Sequence, residues 1–160
     1  MRRIIMDLNP WYVTGLVEGE GCFHVSFTFR KKLKIGIETR PSFSISLSKR
    51  DVELLKKIRK FFGCGAIRYS SSDHTYRYEV RSVRDIVKKI LPHFEKYPLK
   101  GSKKEDFEKF REIVLMVHQN KHLSKKYLPK IIELAYSMNL SGKRKHRKED
   151  LLRALGEVKV

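Results

Sequence analysis

From residue 12 to residue 21 the sequence reads YVTGLVEGEG, which places small residues at helical spacing and then two acids among glycines. Just before this stretch, Asn9 is a favourable helix cap and Pro10 suits the first helical position. At its other end, Gly21 favours a left-handed stop. The sequence therefore predicts a helix of roughly ten residues that begins at Pro10 and ends at Gly21.

Two glycines of this helix, Gly15 and Gly19, are four residues apart and therefore share one face. Because that face carries no side chains at these positions, a second helix can approach until the two backbones nearly touch. The end of the helix carries two acids, Glu18 and Glu20, beside the last backbone carbonyls, where the helix dipole favours a cation. Two such helix ends side by side predict a site for divalent metal.

The composition limits the size of the fold and the class of partner. The chain has 160 residues, of which 41% are hydrophobic, and this is enough for one domain with a substantial core. Its net charge of +18, from 36 Lys and Arg against 18 Asp and Glu, suits nucleic acid before any other partner. A membrane surface is the rival partner, but no apolar run approaches the roughly 20 residues of a spanning helix. We therefore expect an intracellular, cytoplasmic protein that does not bind membranes.

Two stretches after the glycine-rich helix alternate as half-buried strands require. In residues 22–30 and 35–47 most odd-numbered positions are apolar and most even-numbered positions are polar. Both strands should therefore bury their odd-numbered residues, which allows them to belong to one sheet. Pro41 lies within the second strand and predicts a bend or bulge, because proline cannot donate a ladder hydrogen bond.

Three capping boxes predict further helices, which begin at Ser48, Ser82 and Ser102. The second of these helices is expected to be short, because Pro92 should end it. Later helical stretches are predicted at about residues 127–138 and 149–155, and a basic run at residues 143–148 separates them.

Residues 66–70 and 75–82 are predicted to form a hairpin. Its outward side chains are polar and include three arginines, whereas the inward set comprises Ile67, Tyr69, Tyr76, Tyr78 and Val80. The order of elements is therefore helix, two strands, helix, two strands, helix, which indicates a doubled α+β arrangement.

Residues 13–21 resemble the nine-residue LAGLIDADG motif of the homing endonucleases, with Gly15, Leu16, the two acids and Gly21 in matching places. The resemblance extends over about residues 11–110. It implies the αββαββα core of that family, with a twisted antiparallel sheet as the DNA-binding saddle and extra C-terminal helices. We expect a single domain over residues 1–160, with a core at about 9–117 and a basic helical extension at about 118–160.

The motif occurs once, and the resemblance implies that single-motif chains of this length form homodimers. The residues expected at the interface are Thr14, Gly15, Glu18 and Gly19. The implied activity is Mg²⁺-dependent hydrolysis of both strands of a long pseudo-palindromic DNA site, leaving 3′ overhangs. The last acid of the motif binds the catalytic metal in the family, so Glu20 is the expected ligand, with Gly19 beside it. Family members more often have Asp there.

The resemblance also implies basic side chains around the metal. A Gln is common at the junction of strand and helix in the family, whereas this chain has no Gln there and Lys49 aligns best. The family's catalytic lysine follows a Pro-Leu segment, where Lys100 and Lys103 are both available. We favour Lys103, although the sequence leaves the register between these two open.

The polar face of the predicted sheet has the chemistry of a DNA-binding surface. Arginine suits guanine edges and phosphates, and short hydroxyl side chains donate or accept hydrogen bonds. For each residue, and for the basic run at 143–148, an ordinary solvent-exposed position is the alternative. The DNA-binding candidates are His24, Ser26, Thr28, Arg30, Lys32, Glu38, Arg40, Ser44, Arg68, Ser70, Thr75, Arg77, Lys143 and Arg144.

Several alternative interpretations remain at this stage. An inactive module that acts as an RNA-splicing maturase or a DNA-binding regulator would share the fold and the charge, whereas a ribosome-associated protein would explain only the charge. His118 and His122 lie four apart, but surface histidines are favoured over zinc because no third ligand is evident. Trp11 is expected to pack in the core. Scarce amides and abundant lysine favour a thermophilic prokaryote as the source, with an organellar gene as the alternative.

Overall fold

A computed structural model of the chain describes residues 7–140 and 142–156. It combines helices with a four-stranded sheet, as the α+β prediction requires. The strands are β1 (Gly21–Phe29), β2 (Ile37–Ser48), β3 (Ala66–Ser70) and β4 (Thr75–Val80). The helices are α1 (Pro10–Glu20), α2 (Val52–Phe62), α3 (Val83–Asp85), α4 (Leu91–Lys96), α5 (Lys103–His118), α6 (Leu128–Tyr136) and α7 (Lys148–Ala154).

The sheet has the strand order β1-β2-β4-β3. β4 pairs antiparallel with both β2 and β3, and Tyr78 lies opposite Ile45 on one side and Ile67 on the other. The chain divides into two compact units. The first comprises residues 7–22 and 43–103, and the second comprises residues 23–42, 104–140 and 142–156. The single-domain expectation, with a border near residue 117, stays a prediction.

The core of the first unit is an aromatic cluster between α2, α4 and the sheet. The ring of Phe43 lies 5.8 Å from that of Phe62 and 5.7 Å from that of Phe94, between centroids. Phe62 stacks on Tyr78 at 6.2 Å. These side chains are buried because α2 presents apolar residues every three or four positions to the apolar face of the strands.

The core of the second unit is built on β1. The ring of Phe23 lies 5.3 Å from Phe107 and 5.2 Å from Phe110, both on α5. The side-chain amide of Asn139, a residue with a left-handed backbone, donates to the Phe23 carbonyl at 2.6 Å. This hydrogen bond holds the segment after α6 against β1.

Most of the predicted elements are confirmed, including the burial of odd-numbered residues in β1 and β2, except that Phe29 is 43% exposed and Leu47 is half buried. Pro41 is buried within β2, which continues through it, and the bend or bulge expected there stays a prediction. Pro92 is a correction: a π-helical turn at Ile86–Ile90 precedes it, and the helical path continues to Lys96. Leu91 already donates to Ile86, so the wider turn accommodates a residue that has no N–H.

Gly21 and Tyr69 also differ from their predicted roles. Gly21 has an extended backbone, with φ −83°, so it does not end α1 by a left-handed stop. An added Cβ there would lie only 2.5 Å from Cγ1 of Val17, so close packing is what excludes a side chain. Tyr69 was predicted to face the core, but it is 48% exposed because β3 is an edge strand. Among the described residues, no helix has the length and apolar character needed to cross a membrane.

Candidate active site and nucleic-acid interface

Helix α1 has one face buried in the first unit and one face that the described residues leave uncovered. Val13 and Val17 are fully buried, whereas Tyr12 on the opposite side is half exposed. An added Cβ at Gly15 or Gly19 would meet no atom within 4 Å. The two glycines therefore form an open strip, which we call the glycine face.

Thr14 does not belong to the glycine face, so its assignment to a dimer interface is wrong. It is 3% exposed, and its hydroxyl donates to the Tyr97 carbonyl at 2.8 Å. The same oxygen lies 3.0 Å from Nε2 of His93, which must then donate to it. Helical geometry turns Thr14 toward this inner contact, because it lies one position before Gly15 and about 100° around the helix.

In the neutral form of His93, this contact requires the tautomer with its proton on Nε2. Burial lowers its pKa from 6.5 to about 4, because the charged form loses its water. In the unfolded chain the imidazole gains its proton below about pH 6.5, whereas in the folded chain it does so only near pH 4. The free energy of unfolding should therefore fall as the pH drops through this window.

We predict that His93 lowers the free energy of unfolding by about 2 kcal/mol between pH 6.5 and pH 4, after allowing for residual solvent around the ring. Urea unfolding at several pH values measures this loss. His93→Gln is the reference variant, because glutamine can still donate to Thr14 but does not titrate. Parallel pH profiles for the two proteins would contradict the prediction.

The two acids of the motif have different environments. The carboxylate of Glu18 accepts hydrogen bonds from the backbone N–H groups of Lys100 and Gly101, the second at 3.1 Å. It thus anchors the loop before α5. Its expected place at a dimer interface stays a prediction, although the carboxylate is engaged within its own chain. An added Cβ at Gly101 would lie 2.9 Å from Oε2 of Glu18, so a larger residue there would displace this carboxylate.

Glu20 is the last residue of α1, and its side chain is exposed. Its carboxylate makes no hydrogen bond or ion pair with the described residues. Among those residues, no group of three or more His, Cys, Asp and Glu side chains is arranged to hold a metal ion. A metal site on Glu20 and the adjacent Gly19 is consequently incomplete in one chain and needs donors from elsewhere.

Of the two candidate lysines after the Pro-Leu segment, Lys103 lies at the acidic end of α1. Its Nζ donates to the carbonyls of Val17 and Gly21, at 2.9 and 2.5 Å. Nζ of Lys100 instead lies 5.7 Å from the ring centroid of Trp11, at the other end of the helix. The nine helical steps from Trp11 to Glu20 span about 13 Å. The geometry therefore brings Lys103 toward Glu20 and directs Lys100 away.

Trp11 and Lys49 are both exposed. Trp11 is 50% exposed and packs edge to face on Tyr97, so its predicted place in the core is wrong. Its position on α1 explains this, because it is on the same side of the helix as the glycine face. Lys49 is exposed at the first position of a short 3-10 turn, and its backbone N–H donates to the His74 carbonyl at 3.1 Å.

The polar face of the first unit carries a cross-strand row of Ser46, Arg77 and Arg68. Nε of Arg77 donates to Oγ of Ser46 at 3.2 Å, and Arg68 lies directly opposite Arg77 on β3. Both arginines are exposed. Like charges in directly opposed positions destabilise a sheet, and an anion bound across them would relieve the repulsion. Ser44, on the same face, is half buried opposite Glu79.

The hydroxyls of Ser70 and Thr75 serve the hairpin turn. Oγ of Ser70 lies 3.0 Å from Oγ of Ser72, and the Thr75 hydroxyl donates to Asp73 at 2.8 Å. Hydrogen bonds from Ser70 and Thr75 lower the pKa of the Asp73 carboxyl. The two candidates therefore shape the tip of the hairpin, in addition to any contact with DNA.

The polar face of the second unit carries a triad of charges. One Glu38 carboxylate oxygen accepts from Arg30 at 2.8 Å, and the other accepts from Arg40 at 2.9 Å. Burial raises the pKa of Glu38, but the hydrogen bonds and charges of Arg40 and Arg30 outweigh it, so the net pKa is lowered. Glu38 thus orients both guanidinium groups. Three further candidates on this face are half buried, namely His24, Ser26 and Thr28. Lys32 is exposed in the turn that follows β1.

Arg144 is not available to DNA as predicted. One guanidinium nitrogen donates to the Val25 carbonyl at 2.7 Å, another donates to the Ala135 carbonyl, and the group lies 4.4 Å from the centroid of the Tyr136 ring. The residue instead holds the C-terminal segment of the second unit in place. The sequence of the basic run does not distinguish Arg144 from its neighbours, because the partners of Arg144 lie outside the run. Lys143 is exposed and remains a candidate.

A family model described as LAGLIDADG endonuclease matches residues 13–114, which is more than half of the chain. The chain belongs to the LAGLIDADG endonuclease family. The match begins one residue before Thr14 and includes the glycine face, Glu20 and Lys103. The fold predicted from the LAGLIDADG resemblance is thereby confirmed together with the family.

Solved LAGLIDADG structures agree with this assignment. The homing endonuclease I-TnaI is 42% identical, with a TM-score of 0.82, over 95% of this chain and 99% of that chain. The LAGLIDADG homing endonuclease I-SmaMI bound to cleaved DNA is 34% identical, with a TM-score of 0.83, over 94% of this chain but only 48% of its own.

The homing endonuclease I-ApeII of Aeropyrum pernix is 29% identical over 143 residues, which is 88% of this chain and 84% of that protein. Other curated relatives are longer. The chain spans about a quarter of intron-encoded proteins from Podospora anserina and Neurospora crassa, and about half of one from Mycosarcoma maydis. The cellular location and source of this LAGLIDADG chain stay predictions.

Proposed function

We propose that this chain is a homing endonuclease that acts as a homodimer on double-stranded DNA. It would hydrolyse both strands of a long pseudo-palindromic site with Mg²⁺ and leave 3′ overhangs. The observation that carries the proposal is the environment of Glu20. Its carboxylate is exposed and has no described partner, at a helix end where Glu18 is already committed to a structural contact.

The homodimer is supported by the incomplete set of metal ligands in the described part of one chain. One chain supplies one uncommitted carboxylate at the end of α1, and the glycine face beside it is open. A second copy packed on this face would bring a second Glu20 to the same place. I-SmaMI offers a parallel, because this chain covers about half of that DNA-bound protein. The remaining half of I-SmaMI is long enough for a second domain of the size of this chain.

The available ligands suit a hard divalent cation. Carboxylate and backbone carbonyl oxygens are the donors that Mg²⁺ and Ca²⁺ prefer, and Glu20 and Gly19 offer both kinds at the negative end of a helix dipole. When bound, such a cation neutralises charge on the phosphoryl oxygens and activates a water molecule as nucleophile.

The basic residues then have separate roles. Lys103 holds the carbonyl end of α1 through two hydrogen bonds and places an ammonium charge near Glu20, where it favours the approach of the scissile phosphate. Lys49 is exposed and free to reach a phosphate. Lys100 has its charge over Trp11, so in this arrangement it stabilises the N-terminal part of α1 and does not act in catalysis.

The polar faces of the two units would read the DNA. In the first unit, Arg68 and Arg77 present exposed guanidinium groups from neighbouring strands. In the second unit, Glu38 fixes the orientation of Arg30 and Arg40. Oriented arginines can make paired hydrogen bonds to guanine, which is the strongest direct readout in the major groove.

We predict that Arg77→Ala or Arg40→Ala will cost about 1 to 3 kcal/mol of binding to the target and relax the preference at one base pair in each half-site. Binding of each variant to the target and to single-base-pair variants of it measures both effects. Lys143→Ala is the control, because an exposed lysine in the basic run should weaken target and random DNA alike. If the arginine variants also weakened both alike, they would be phosphate contacts.

The proposed activity can be tested without knowing the target. The protein is incubated with a plasmid library that carries a long randomised duplex segment, and linearised members are recovered and sequenced. Cleavage in Mg²⁺ that EDTA abolishes, at related near-palindromic sites with 3′ overhangs, is the expected result. A protein that selects a site by binding but never cleaves it would be a DNA-binding regulator instead.

A further inference from the structure

The first unit contains a basic cleft on the side of α2 that faces away from the sheet. The cleft has a volume of about 440 Å³, and three of its six lining residues are Lys56, Arg59 and Lys60. These three share one face of α2, because they lie at positions i, i+3 and i+4. No acidic residue lines the cleft. We call it the α2 cleft.

Gly63, Cys64 and Gly65 complete the lining of the α2 cleft. Gly63 and Gly65 both have positive φ, +71° and +91°, so other residues would be strained there. Nζ of Lys89 lies 4.0 Å from where a Cβ of Gly63 would be, which adds a fourth cation at the edge. Lys56 pairs with Glu53, but Arg59 and Lys60 have no ion pair among the described residues.

None of the residues that line the α2 cleft lies on the polar face that carries Arg68 and Arg77, and a separate, smaller cleft is lined by both Gly65 and Arg68. Helix α2 buries Leu55, Ile58 and Phe62, and Phe62 stacks on Tyr78, whose side chain lies on the apolar face of the sheet. Lys56 and Lys60 therefore lie on the side of α2 away from its buried residues, and Arg59 lies on the flank between the two sides. A duplex held on the polar face would leave Lys56 and Lys60 uncovered.

We propose that the α2 cleft is a second nucleic-acid site, which binds the sugar-phosphate backbone of a strand other than the duplex on the sheet. Uncommitted cations provide the attraction to phosphate. The missing side chain at Gly63 lets a phosphate approach the main chain, whereas the space beside Gly65 is filled by the Tyr78 ring, and the volume exceeds the needs of a single phosphate ion. The inference is independent of whether the chain cleaves DNA.

The test pairs two double variants that remove equal charge from the same part of the surface. Arg59→Gln with Lys60→Gln neutralises the cleft, whereas Lys57→Gln with Lys88→Gln neutralises exposed residues outside its lining. Each protein first receives a stoichiometric amount of duplex DNA of mixed sequence, without metal. A short fluorescent single-stranded RNA is then titrated in, at several salt concentrations.

The cleft variant should bind the RNA about tenfold more weakly, with a salt slope reduced by about 1.4 for two lost phosphate contacts, whereas the control should match wild type. Single-stranded DNA in place of RNA shows whether the ribose contributes; equal binding or a preference for RNA both support the site. Equal weakening in both double variants, or displacement of the duplex by the RNA, would overturn it.

Cys64 provides a second readout in the unaltered protein, because it lines the cleft and is half buried. Bound RNA should slow its alkylation by iodoacetamide severalfold, with Cys22, which does not line the cleft, as the internal reference. Alkylation of Cys64 at an unchanged rate under saturating RNA would exclude the proposal even if the double variants failed to fold.

Discussion

Replacing Glu20 by glutamine is expected to abolish cleavage and leave the fold and DNA binding intact. The substitution keeps the shape of the side chain but removes the negative charge that would hold the cation. Several kcal/mol of transition-state stabilisation are lost with the metal, so cleavage in Mg²⁺ should fall by a factor of about 10³ or more. Affinity for target DNA should be unchanged or slightly higher, because two carboxylates no longer repel the phosphates.

Glu18→Gln is the matched control, because it removes the same charge from the same helix. Its carboxylate holds the backbone of Lys100 and Gly101, so this variant should lose about 1 kcal/mol or more of stability, through weaker hydrogen bonds. Thermal unfolding and a cleavage time course on the selected target separate the two effects. A Glu20→Gln protein that cuts at the wild-type rate while still requiring Mg²⁺ would place the metal site elsewhere.

Replacing Gly15 by leucine is expected to abolish the homodimer and, with it, cleavage. In the part of the chain that the structure describes, an added Cβ at Gly15 meets no atom within 4 Å, so the monomer should remain folded. In a dimer, one leucine from each chain would enter a helix contact that depends on absent side chains. Light scattering should therefore give twice the chain mass of 18.9 kDa for wild type and the single chain mass for the variant.

Gly21→Ala is the contrasting variant for this prediction. Its Cβ would lie 2.5 Å from Cγ1 and 2.9 Å from the carbonyl oxygen of Val17 in the same chain. We expect a cost of about 1 to 3 kcal/mol in the free energy of unfolding, whatever the state of assembly. A wild-type protein that is monomeric at micromolar concentration would contradict the dimer, and a Gly15→Leu protein that is unfolded would show that the glycine face is covered within the chain.

Local signals in the sequence were sufficient to predict most of the helices and strands and to identify the family. Alternation of apolar residues in β1 and β2 predicted which face is buried, because side chains of a strand point alternately to its two sides. The glycines and acids of α1 identified the family, because their spacing is a property of one helix. The errors at Pro92 and Gly21 both concern backbone whose geometry is set by the adjoining turn or helix.

The sequence by itself therefore determined the order of the elements, their buried faces and the presence of two acids at one helix end. Only the tertiary structure separated these acids: Glu18 is engaged by a loop more than 80 residues away, and Glu20 is not. It likewise distinguished Lys103 from Lys100, and Lys143 from Arg144. The physical reason is the same in each case, because a charged side chain takes its role from partners that are close in space and remote along the chain.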